Sequence, residues 1–143
     1  MIHRFRVLSL LILLTQPIVL PSQTANKTFS KSFNTEERGI VRIDLPGSID
    51  VKIWENPTIR FEISVGLPSG NMSMLNELAT VGRYNLVAKP LEGEDVLVIA
   101  APNLQKQVKI KGEALHESVA YTVWIPKNMG IELPNAVSMA EKK

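Results

Sequence analysis

Cysteine is absent from this 143-residue chain, so no disulfide and no thiolate metal site is available and the fold must rest on its hydrophobic core. Histidine is scarce as well: His116 is the only one beyond the N-terminal segment, and any zinc site would need unusual help from carboxylates. The apolar stretch from Val7 to Leu20 is interrupted by Pro17 and falls short of the roughly 20 residues that a spanning helix requires, which disfavours a permanent transmembrane anchor. No glycine-rich phosphate loop follows a strand, and no nucleophile elbow is present. A surplus of positive charge is also missing from the body of the chain. The formal net charge of +2 comes from 16 basic and 14 acidic residues, but Arg4 and Arg6 belong to the first six residues, and without them the two signs balance. That balance argues against binding nucleic acid or an anionic membrane surface.

What is present begins with an export pattern: Arg4 and Arg6, an apolar run from Val7 to Leu14 broken only by Ser9, then Thr15-Gln16-Pro17. Residues 1–25 are therefore expected to be a cleaved leader ending near Ala25, residues 26–137 one β domain, and residues 138–143 a disordered tail. Export combined with the lack of an N-terminal cysteine for lipid attachment implies the periplasm, the cell surface or the outside.

The organising stretch runs from Arg38 to Val65, where apolar and polar residues alternate strictly in three runs broken at Leu45-Pro46-Gly47 and Asn56-Pro57-Thr58. This reads as three consecutive strands. Parity of the turns predicts a hairpin with Gly47 at positive φ that sets Ile43 against Ile49, Val41 against Val51 and Arg42 against Asp50. A second hairpin would set Ile53 against Phe61, Val51 against Ile63, Lys52 against Glu62 and Trp54 against Arg60. Lys27 to Phe33 reads as an edge strand. Asn71 can cap a short helix carrying Leu75, Leu78 and Ala79, closed by Gly82. Arg83 to Lys89 and Val96 to Ala101 read as a hairpin across the acidic turn Glu92-Gly93-Glu94-Asp95, with the second of them central and covered by the helix. Val108 to Lys111, Val119 to Ile125 and Ile131 to Leu133 complete the strands.

No catalytic, cofactor or metal residues can be assigned, and no cofactor is expected. His116, Glu117 and Ser118 are adjacent in sequence, but strand neighbours diverge, and an exposed turn histidine explains His116 better than a catalytic pair. Glu92, Glu94 and Asp95 match no calcium loop and read as a hairpin tip. The sequons at Asn26 and Asn71 are of the kind that chance supplies. The two tryptophans are different: Trp54 falls on the phase of Asp50 and Lys52, and Trp124 on that of Ala120 and Thr122, so both point away from the main apolar face. Trp54, Arg60 and Trp124 are the candidate contact surface.

The export signal, KTFSKSF, GIVRIDLPGSIDVKIWENPTIRFEISV and the closing YTVWIPKNMGIELPN together resemble the head GIN group of putative-adhesin domains in bacterial envelope proteins, as a shortened member. The resemblance implies a surface or adhesive role, a stacked β-solenoid in the larger members, and no catalytic residues. The expected fold is all-β, an antiparallel sandwich-like meander with one short helix, with a β-solenoid fragment as the alternative. The expected function is an exported, non-enzymatic envelope or surface domain that binds a protein or glycan in adhesion or assembly. A periplasmic accessory of an envelope-sensing system stands second and an exported glycan hydrolase third.

Overall fold

A computed structural model describes residues 24–135, so the expected tail and all but the last two residues of the expected leader lie outside the described residues. Alternation locates every strand but the two-residue Glu113–Ala114, which is too short to show a period. The strands are β1 (Ala25–Asn34), β2 (Ile40–Asp44), β3 (Ser48–Trp54), β4 (Thr58–Leu67), β5 (Val87–Pro90), β6 (Val96–Ala100), β7 (Lys109–Ile110), β8 (Glu113–Ala114), β9 (Ser118–Pro126) and β10 (Gly130–Glu132). One helix, α1 (Met72–Thr80), interrupts them. The fold is all-β with one short helix. A first sheet has the order β1-β4-β9-β3, a second the order β10-β2-β6-β5, and β7 and β8 form a small ribbon of their own.

Inward-facing residues of the two four-stranded sheets make the core. Ile59, Phe61, Ile63 and Val65 of β4, with Tyr121, Val123 and Ile125 of β9, meet Val41 and Ile43 of β2 and Leu97 and Ile99 of β6 in a single buried cluster. Each such side chain contributes roughly 1.5–3 kcal/mol by leaving water, which is how a chain without disulfides holds two sheets together. Ala25 is buried too and pairs with Leu67.

The pairing differs from a meander at both expected turns. β2 and β3 are not a hairpin: they lie in different sheets, and residues 45–47 carry the chain from one layer to the other. Leu45 is 1% exposed and belongs to the core rather than to a turn tip. The parity test could not distinguish the two outcomes, because crossing between layers also keeps Val41, Ile43, Ile49 and Val51 inward. Nor do β3 and β4 pair, although only residues 55–57 separate them; β9 lies between them, antiparallel to β4 and parallel to β3. Parallel pairs also join β2 to β6 and β2 to β10, so the sheets are mixed rather than antiparallel. Antiparallel pairing holds for β1 with β4 and for β5 with β6, and β1 is an edge strand as expected.

The helix ends where the sequence places its ends. Asn71 Oδ1 accepts from Met74 N at 2.9 Å, and Gly82, at φ +81°, donates to Ala79 O while Arg83 N donates to Leu78 O, which closes the carbonyl end in a Schellman arrangement. Its position differs from expectation. Leu75 is fully buried, but α1 packs against β1 rather than over the central strand β6. Residues 81–84 then form a turn, so β5 starts at Val87 rather than at Arg83.

Candidate contact surface

The outer face of the first sheet is built by the phase opposite to the core. Register puts Ser32, Arg60, Trp124 and Lys52 in one row across β1, β4, β9 and β3, and Ser30, Glu62, Thr122 and Asp50 in the next. Trp54 lies one row further along, opposite Pro126. Both tryptophans therefore face outward as their phase predicts, and their ring centroids stand 6.3 Å apart with a 39° tilt.

Trp124 is flanked from both neighbouring strands by cations: Lys52 Nζ lies 5.4 Å from its centroid and the Arg60 guanidinium 5.6 Å. Such contacts are worth about 0.5–1 kcal/mol at exposed sites and more where water is excluded. Arg60 also donates to Glu62 Oε1 at 3.1 Å, and its Nε is buried without a hydrogen-bond partner. Trp54 is held by its indole N–H, which donates to Thr58 O at 2.8 Å across the turn, while its own carbonyl accepts from Lys127 N. Both indoles are half-buried, shielded by each other and by the aliphatic stems of the cations; the second sheet lies on the opposite side. The three residues singled out in the sequence thus come together, with one correction: Arg60 faces Trp124, not Trp54. Lys52 joins them, and the expected Lys52–Glu62 pair is absent because β9 intervenes.

The other candidates separate. His116 is exposed just ahead of β9, and Ser118 Oγ is directed at Gly66 O at 3.5 Å. The acidic tip between β5 and β6 secures the loop before β2: Asp95 Oδ1 accepts from Gly39 N at 2.8 Å, and Glu94 O accepts from Arg38 Nη1 at 2.6 Å. Among the described residues no group of three or more histidine or acidic side chains is placed to hold a metal ion.

Glu117 has the role that sequence reasoning missed. Its carboxylate accepts from Arg83 Nη2 at 2.5 Å and Nε at 3.1 Å, and from the Tyr84 hydroxyl at 2.9 Å, while Arg83 Nη1 donates to the carbonyls of Asn103 and Lys106. Arg83 is the only charged residue in the buried class among the described residues, and no local pattern links it to a partner 34 positions away. Burial, reinforced by the Glu117 hydrogen bond and charge, raises the Tyr84 hydroxyl above its ordinary range; burial and then the Glu117 charge do the same for Tyr121, whose hydroxyl has no partner. These are the chain's two tyrosines. Their neutral forms therefore favour the fold fully below pH about 10, the unfolded value, and that stability is lost as pH rises through the folded values. Alkaline titration of the near-ultraviolet phenolate band should show no ionisation near pH 10, then a rise coinciding with loss of the folded circular-dichroism signal.

No family model matches the chain, and no curated protein matches it. The crystal structure of a putative cell adhesion protein from Clostridium sporogenes superposes at 12% identity and a TM-score of 0.43, over 76% of this chain and 46% of that one. The chain spans less than half the length of that protein. A superposition this loose assigns neither a family nor a role, and no family model supports the head GIN resemblance.

Proposed function

We propose that this is an exported, non-enzymatic envelope or surface domain of adhesin-like type, whose contact surface is formed by Trp54, Trp124, Arg60 and Lys52 and whose ligand is a glycan bearing acidic groups. The observation that carries this reading is the meeting of two tryptophans and two cations from three adjacent strands on an outward sheet face. Among the described residues Lys52 has no carboxylate partner, so its charge is free to meet an anionic group, while the indoles offer apolar edges to sugar C–H bonds and Ser30, Ser32 and Thr122 offer hydroxyls beside them. Hydrolysis of a glycan would call for two carboxylates facing one cleft. The grooves at the sheet ends present them singly, Asp44 in one, Glu55 in another and Glu113 in a third, which favours binding over cleavage.

Titrating the protein with a polyuronate, and separately with a neutral glucan, while following tryptophan fluorescence and heat tests this. A saturable response to the polyuronate alone is expected, weakened at least about tenfold in Trp124→Ala and in Arg60→Gln. A silent titration with both polymers, or unchanged affinity in both variants, rejects the surface.

A further inference from the structure

The outer edge of β3 is a seven-residue strand that no described strand pairs, and it differs from the other three sheet edges. On β1, Lys27 and Lys31 occupy the core-facing phase, an arrangement that discourages a further strand from adding. β5 has four residues and ends in Pro90, and β10 has three. β3 has neither device. Its core-facing phase is Ile49, Val51 and Ile53, and Ile53 is 68% exposed because no further strand lies beside it.

We infer that β3 pairs antiparallel with β3 of a second copy of this chain, about a two-fold axis through Val51 perpendicular to the sheet. Charge selects this register. With Val51 opposite its twin, Asp50 faces Lys52 of the second copy and Lys52 faces Asp50, Ile49 faces Ile53 twice, and Ser48 faces Trp54. Moving the axis one residue either way sets Asp50 against Asp50 or Lys52 against Lys52, so the neighbouring two-fold registers are repelled. The backbone agrees. Trp54 O accepts from Lys127 N, one residue beyond its ladder partner Pro126, which is the slanted bond of a parallel pair and directs the even-numbered residues of β3 toward β9. The N–H and C=O groups of Ile49, Val51 and Ile53 consequently face the free edge, where the three facing pairs can each exchange two hydrogen bonds. Two four-stranded sheets become one continuous sheet, with both Trp54–Trp124 clusters on the same face. This inference does not rest on the proposed ligand, and because Lys52 gains an acidic neighbour in the dimer, an anionic group bound at Lys52 would compete with that pair.

Sedimentation velocity over a concentration series up to about 1 mM tests it, the upper end being where even very weak pairing registers. The chain should show a reversible dimer. Ile53→Lys, at an exposed position, should be monomeric with an unchanged melting temperature, and Asp50→Lys should weaken dimerisation at least about tenfold by placing two lysines opposite each other twice. The double variant Asp50→Lys/Lys52→Asp restores opposite charges and should restore the dimer, a result that simple loss of folding cannot mimic. A monomer at every concentration, or a dimer indifferent to Ile53→Lys and Asp50→Lys, overturns the inference, as does failure of the charge swap to rescue a folded protein.

Discussion

Glu117→Ala is expected to lower the unfolding free energy by about 3–5 kcal/mol, measured by urea titration. Arg83 and Glu117 have side chains only 9% and 10% exposed, so the substitution leaves a guanidinium buried with two carbonyl acceptors and no counter-charge, and deprives the Tyr84 hydroxyl of its acceptor. Most of the cost is the desolvation of what remains rather than the net worth of the pair. Arg83→Met/Glu117→Leu, which removes both charges, should therefore lose clearly less than the sum of the single substitutions. Equal losses in the double variant and in the sum would show that the two side chains act independently. The cluster is a fastener: it ties the turn after α1 to residues 103–106 and to the segment entering β9.

Gly47→Val should be comparably damaging, by about 3 kcal/mol, with a matching drop in melting temperature. Gly47 has φ +99°, in the left-handed region, and a Cβ built there would collide with the Val119 carbonyl oxygen. The loop 45–47 passes against β9 as it crosses between layers, so the position is constrained by backbone conformation and by backbone contact together. Gly93→Ala is the control, since Gly93 has φ +75° but open space around it; only the conformational cost, about 1 kcal/mol, should appear there. Equal losses at the two glycines would mean that the contact with Val119 contributes nothing.

The longer strands were legible because each carries its own period, which the two-residue β8 does not, and so were both caps of α1, because Asn71 and Gly82 act on neighbours three or four residues away. Partner choice was not legible. Parity fixes which side of a strand is apolar, yet it is preserved when the chain changes sheets after Asp44 and when β9 enters between β3 and β4 in matching phase. The outward placement of Trp54, Arg60 and Trp124 was legible for the same reason: they stay on the outer face whichever strands are neighbours. Glu117 escaped because a buried ion pair depends on two loops converging, which no local period records.

The insertion of β9 has a consequence for how the chain reaches this state. β3 and β4 leave the chain nearly contiguous, and a hairpin between them would form in about 1–10 μs, with Lys52 beside Glu62 and Trp54 beside Arg60 as local complementarity invites. The native sheet forbids that pairing, for the strand that must separate them lies some 50 residues downstream and bonds to both. A readily formed local contact is thus a competitor of the native sheet, and it has to be open, or to reopen, when residues 118–126 arrive. Folding speed should then be governed by the lifetime of that premature hairpin. Substitutions that weaken it without touching the β9 ladder would accelerate folding while leaving stability unchanged.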